Sequence, residues 1–285
     1  MPRDLPIGNG SLLVNFDSAY SLRDLYFPNV GRDNNTVGHP CRVGIWANGW
    51  FSWLHHAGWE RRLCYEPDTL VTDVVLHNPS MGLSIACHDA VSHHMTVLLR
   101  SFEVTNHWDV EREIRLFFCQ DLHIAETADG DTAYYEPVND FLIHYKGRHY
   151  FLINGRSADG RGIFQYATGN KEFGPSEGTW LDAEDGELGM NPIAQGSVDS
   201  VISLRQSVLP HASTAFVFWI AAERGYFDVK ELNGSVLRAG VVGLLEATRK
   251  HWRSWVQRST AEYGDLPESL QEFYRRSLLL GREPA

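Results

Sequence analysis

The chain has 285 residues, 43% apolar and 21% charged, an ordinary globular balance that excludes disorder and collagen-like fibres. It carries 25 Lys and Arg against 36 Asp and Glu, a net charge of −11, with no basic run. That charge argues against nucleic-acid binding by counterion release.

Fourteen acidic and five basic residues fall between Asp121 and Ser200. A solvated acidic face is expected there. Asp182, Glu184, Asp185 and Glu187 lack the full ligand pattern of a calcium-binding EF-hand loop. Cys41, Cys64, Cys87 and Cys119 form no Cys-x-x-Cys pair and match no zinc framework, so reduced thiols and a cytoplasmic compartment are expected. The start, Met-Pro-Arg-Asp-Leu-Pro, has no apolar core, so no signal peptide is expected, and the sequons at Asn9, Asn34 and Asn233 read as chance. The longest membrane-like stretch, residues 213–222, is far shorter than the roughly 20 residues that span a bilayer.

From residue 11 to about 222 the pattern predicts short strands broken by turns. Residues 11–16 and 22–27 are apolar strands, the second ending at Pro28. Residues 42–47 and 50–54 flank Asn48-Gly49, a strong hairpin signal because both turn residues accept positive φ. Residues 70–77 and 82–88 pair across Asn78-Pro79-Ser80. Three further hairpins are predicted: 95–105 with 111–120, 141–145 with 150–153, and 201–208 with 214–221. Residues 169–196, rich in Gly, Asp and Glu, read as a long surface excursion. This cadence indicates an antiparallel all-β sandwich.

After Phe227 the period changes. A helix is predicted over 228–238 with Asp228 as N-cap. A better one runs over 241–256, where Leu244, Leu245, Thr248, Trp252, Trp255 and Val256 share a face. Residues 263–267 break the chain. A third helix over 267–280 carries a stripe of Leu270, Phe273, Tyr274, Ser277, Leu278 and Leu280. Such a stripe needs an apolar partner, and self-association into a homo-oligomer is one way to supply it.

The chemical motifs are sparse. There is no Gly-x-Ser-x-Gly elbow, dinucleotide or phosphate loop, or His-Glu-x-x-His among the thirteen His. The pairs His55-His56 and His93-His94 are expected on strands, pointing to opposite faces. No cofactor and no metal are expected. Trp46, Trp50, Trp53 and Trp59 cluster in one hairpin region, as a sugar-binding module requires, although core packing is the stronger reading. A sugar-processing enzyme would need a His facing a carboxylate, for which His93 and His144 are the candidates. The polar loop of residues 29–39, after Tyr26-Phe27-Pro28, offers guanidinium, amide and carboxylate groups for hydroxyl recognition.

Ile7-Gly8-Asn9-Gly10, the segment Arg23-Asp24-Leu25-Tyr26-Phe27-Pro28 and the distal Trp252-Arg253-Ser254-Trp255 resemble, in their order and separation, the N-terminal region of bacterial glucoamylase-like proteins of glycoside hydrolase family 15. The resemblance covers about residues 5–280. It implies a mainly β chain: a super-β-sandwich over 1–226, a helical linker over 227–262, and over 263–285 the start of an (α/α)6 catalytic barrel whose remainder is missing. It implies an α-glucan or oligosaccharide as ligand and the barrel as partner, with no nucleic acid and no membrane. Arg32, Asp33, Asn34, Asn35 and His39 become the expected rim of the sugar pocket. The family inverts using two Glu in the barrel, and no acid here matches either. Glu268 and Glu272 read as a solvent-facing helix start, so no catalytic residue is expected.

Overall fold

A computed structural model of the chain describes residues 4–127, 129–171, 178–258 and 264–281. The chain opens with β1 (Leu5–Gly8), β2 (Leu13–Phe16) and β3 (Leu22–Tyr26), then β4 (Arg42–Ala47), β5 (Trp50–Trp53), β6 (Glu60–Tyr65), β7 (Thr72–Asn78) and β8 (Leu83–Val91). Next come β9 (Val97–Asn106), β10 (Arg112–Gln120), β11 (Asp131–Glu136), β12 (Phe141–Lys146), β13 (His149–Ser157) and β14 (Gln165–Asn170). The last strands are β15 (Ile193–Gly196), β16 (Val198–Val208) and β17 (Ser213–Glu223). Helices α1 (Tyr226–Ala239), α2 (Val241–Gln257) and α3 (Glu268–Leu280) follow. Tyr263, in the expected break, and the tail after Gly281 lie outside the described residues.

All strand pairing is antiparallel. A nine-stranded sheet runs β15-β11-β12-β13-β17-β9-β8-β7-β6, a five-stranded sheet runs β14-β16-β10-β4-β5, and β1-β2-β3 form a third. The two large sheets face each other. Phe118 of β10 stacks on Phe218 of β17 with ring centroids 4.2 Å apart and meets Phe102 of β9 at 5.3 Å. Such aromatic pairs add about 0.5–1.5 kcal/mol each beyond their buried area. The outer face of the nine-stranded sheet is apolar as well: Leu99, Ile143, Leu152 and Trp219 pack against Val229, Val236, Leu244 and Leu245 of α1 and α2. The chain is thus a β-sandwich with helices on one flank.

Where the code is local, the expectations hold. The β4–β5 turn has Asn48 at φ 47° and Gly49 at φ 90°, as a type I′ turn requires. The β7–β8 and β12–β13 hairpins form as expected. In β7 the burial alternates strictly, with Thr72, Val74, Leu76 and Asn78 turned inward.

Two expected hairpins are not hairpins. β9 pairs with β8 and β17, while β10 pairs with β4 and β16; β16 pairs with β10 and β14, while β17 pairs with β9 and β13. Each short connection is an arch from one sheet to the other. Alternation shows which side chains share a face, but not which sheet the strand joins.

His55-His56 and His93-His94 lie in turns, where their rings approach to 4.8 and 4.4 Å, not on strands. Gly225, not Asp228, is the N-cap of α1, and Asp228 sits in the first turn. The described part of the 169–196 excursion is ordered: a 3-10 helix (Thr179–Asp185) covers the outer face of the five-stranded sheet, with Ala183, Leu188 and Trp180 against Trp53 and Phe117. In α3 Leu279 is the buried residue, while Leu270, Phe273 and Tyr274 of the expected stripe are exposed.

Of the hairpin tryptophans, Trp53 and Trp59 are buried and Trp50 is 66% exposed. The four cysteines are unpaired; Cys64 is half-buried and the others buried. Among the described residues no helix is long and apolar enough to cross a membrane.

Candidate functional site

The 29–39 loop folds back onto the strand it leaves. Asn35 N–H donates to Leu25 O at 2.7 Å, Phe27 N–H to Asp33 O at 3.1 Å, and Asp33 N–H to Asn29 O at 3.1 Å. Two of the expected rim residues are spent on this fold. Asn35 is fully buried; its Nδ2 donates to Phe27 O and Asp33 O, and its Oδ1 accepts from Ala125 N–H at 3.1 Å. Asn34 donates through Nδ2 to Asp24, while its Oδ1 accepts from Leu25 N–H and the Thr36 hydroxyl. Both amides hold the fold of the loop; Asn35 is buried and Asn34 is half-buried.

The other three face outward, in two directions. Arg32 is exposed. Asp33 lines an open pocket of about 310 Å³ with Pro28, Asn29, Arg148, His149 and Arg224. Arg148 and His149 come from the β12–β13 turn, and Arg224 follows β17. Guanidinium donors beside a carboxylate acceptor suit a polyhydroxylated ligand. Asp33 is the one carboxylate among its described lining residues.

His39 turns instead toward the end of β10. Its ring stacks on His123 with centroids 4.0 Å apart, and its Nδ1 lies 4.0 Å from Asp121 Oδ2. His123 Nε2 lies 3.9 Å from Asp121 Oδ1. Lys171 pairs with Asp121 and donates to Leu122 O at 3.0 Å. Asp121, His123 and Lys171 are buried, and the His39 side chain is 39% exposed, so the cluster opens on one side. Beside it Asp199 accepts from Thr179; burial, with Asp121 adding, pushes its carboxyl up to about 6 against the opposing pull of Thr179 and Lys171. The sequence reading missed Asp121, His123 and Lys171. The Asp121-Leu122-His123 spacing, which sets two side chains on one side of an extended segment, was the available signal.

His144 is fully buried, bonded through Nε2 to Ser200 Oγ at 2.7 Å, and burial pushes it down to about 3. It is therefore a neutral core histidine with no access to substrate. His93 lies against α2 near the Thr248 hydroxyl and stacks on His251 at 4.6 Å, and among the described residues no carboxylate lines its pocket.

The geometry defines an antiparallel β-sandwich that presents a polar loop and a charged pocket beside it. No family model matches the chain. It is 26% identical over 250 residues to an uncharacterized glycosyl hydrolase of Methanocaldococcus jannaschii, across 87% of this chain and 39% of that protein. Its fold matches part of a bacterial glucoamylase solved with acarbose, at a TM-score of 0.73 and 10% identity over 97% of this chain and 40% of that one. It also matches part of a putative kojibiose phosphorylase from the human microbiome, at 0.61 and 8% identity over 98% and 39%. The chain thus spans about two fifths of the length of each of these proteins.

Proposed function

We propose that this chain is the accessory sandwich of a glucoamylase-like hydrolase of glycoside hydrolase family 15, with residues 1–226 as sandwich, 227–262 as linker and 263–285 as the start of a catalytic barrel. The sandwich packs on the barrel, shapes its entrance for an α-glucan, and cleaves no glycosidic bond by itself. The observation that carries this reading is the shared fold: 97% of this chain superposes on 40% of a glucoamylase. The exposed Leu270, Phe273 and Tyr274 on α3 supply an apolar face for the barrel to cover. Arg32, exposed, and Asp33, whose carboxylate is held by Asn29 Nδ2 at the pocket edge, are the loop residues placed to meet a sugar, with Arg148, His149 and Arg224 lining the same pocket as Asp33.

The test has three arms. The purified chain is assayed for glucose release from maltotriose and soluble starch; none is expected, and release overturns the reading. Fused to a glucoamylase-type barrel, the chain is expected to support hydrolysis, with Arg32→Ala raising KM at least threefold. An unchanged KM removes the loop from substrate recognition. Retardation of the chain alone in a glucan-containing gel, abolished by Trp50→Ala, would establish a stand-alone binding module instead.

A further inference from the structure

We infer that His39, Asp121 and His123 form a binding site for one divalent transition-metal ion of the zinc class. Among the described residues these three bring one ligand atom each to within 4.8 Å of one another. The inference is independent of the sugar reading.

Two imidazoles and one carboxylate are the donor set of a three-ligand zinc site. Nitrogen donors favour zinc, cobalt or nickel over calcium and magnesium, which take oxygen ligands. Tetrahedral coordination with bonds of about 2.0–2.2 Å places ligand atoms roughly 3.3–3.5 Å apart. The observed separations from Asp121 are 4.0 Å to His39 and 3.9 Å to His123. These two contacts, made to different oxygens of Asp121, have to close by about half an ångström, and the widest separation in the set, up to 4.8 Å, by about 1.3 Å; rotation of the half-exposed His39 and of the Asp121 carboxylate supplies that closure.

The backbone holds the ligands in register. His123 N–H donates to Asn35 O at 2.8 Å, and His39 N–H donates to Thr36 O at 2.8 Å, so the two ligand-bearing segments are stitched together through Asn35 and Thr36. Asn35, which touches no ligand, thereby becomes a positioning residue. Lys171 already holds a positive charge at Asp121. That pairing is to Asp121 Oδ1, which leaves Oδ2, the oxygen facing His39, as the one offered to an ion. His39, half-exposed, is the member through which an ion would enter the cluster.

The test uses the untagged chain, stripped with chelator and titrated with Zn²⁺ calorimetrically and with Co²⁺ by visible absorption. One equivalent is expected to bind, with a tetrahedral cobalt spectrum. His39→Gln, on the accessible side of the cluster, is expected to weaken Zn²⁺ binding at least tenfold without changing the circular dichroism spectrum. His123→Gln should do the same, and His211→Gln, at an exposed pair with Asp109, should bind as the parent does. Absence of stoichiometric binding, unaltered affinity in His39→Gln, or equal affinity for Ca²⁺ would each overturn the site.

Discussion

Arg249 on α2 grips Glu66 in the β6–β7 turn with Nε 2.8 Å from Oε2 and Nη2 2.8 Å from Oε1. His88 Nδ1 lies 3.2 Å from the same carboxylate, and Arg253 lies 3.6 Å from it. This fork fastens α2 to the rim of the sandwich, and Arg275 of α3 pairs with Asp68 in the same turn through a single Nε–Oδ1 contact of 2.7 Å.

The fork carries a pH dependence. Burial pushes the Glu66 carboxyl up, and the hydrogen bonds of His88 and Arg249 more than reverse it, holding it at about 2. The bond to Glu66 raises His88 against the opposing effect of burial. Glu66 therefore contributes stability above its ordinary value of 4.5 and loses it as pH falls toward about 2. His88 contributes fully below its ordinary 6.5 and loses that as pH rises through its elevated value. Glu66→Gln is expected to cost about 2 kcal/mol between those limits, about 4–8 °C in Tm. The gap from the parent should narrow below about pH 3. Thermal melts across pH check this, and a constant gap would refute it.

A second ionic group is wholly buried. Arg100 Nε donates to Asp89 Oδ1 at 2.7 Å, Tyr20 and Thr72 donate to Oδ2 at 2.6 and 2.8 Å, and the guanidinium lies 4.8 Å from the Phe16 ring centroid. Asp89→Ala leaves the arginine charge without its counterion inside the core, expected to cost about 3–5 kcal/mol. Removing both charges, as Asp89→Leu with Arg100→Met, is expected to cost less than Asp89→Ala. Urea unfolding of the two variants provides the comparison.

The 29–39 loop divides by role. Asn35→Ala is expected to destabilise by about 2–3 kcal/mol, because it strips partners from the carbonyls of Phe27 and Asp33 and the N–H of Ala125. Arg32→Ala should leave the Tm within about 1 °C, as an exposed position does. Differential scanning calorimetry separates them, and equal losses would contradict the scaffold role of Asn35.

Gly155 on β13 sits where a side chain has no room. A Cβ there would lie 2.8 Å from Leu204 Cδ1 and 2.9 Å from the Val217 carbonyl oxygen. Leu204 can shift, but the backbone oxygen belongs to the neighbouring strand. Gly155→Ala is expected to lower stability by about 1–3 kcal/mol, read from the urea midpoint. A midpoint equal to that of the parent would show that the β13 backbone moves aside from Val217 and Leu204 without cost.

The sequence by itself determined what short-range physics decides. Asn48-Gly49 specifies a tight turn, the alternation of β7 specifies a half-buried strand, and the period of α2 brings Leu244, Leu245, Thr248, Trp252 and Val256 to the buried face. The polar loop was also legible, but not the division within it, because whether an Asn meets solvent or a carbonyl depends on what packs above it. Tertiary structure alone decided that β9 and β10, like β16 and β17, part into opposite sheets, that His39 lands beside Asp121 and His123, and that Glu66 meets Arg249. Each of these pairings is set by the closure of one sheet over another, to which side chains distant in the chain contribute together, and no window of neighbouring residues contains that information.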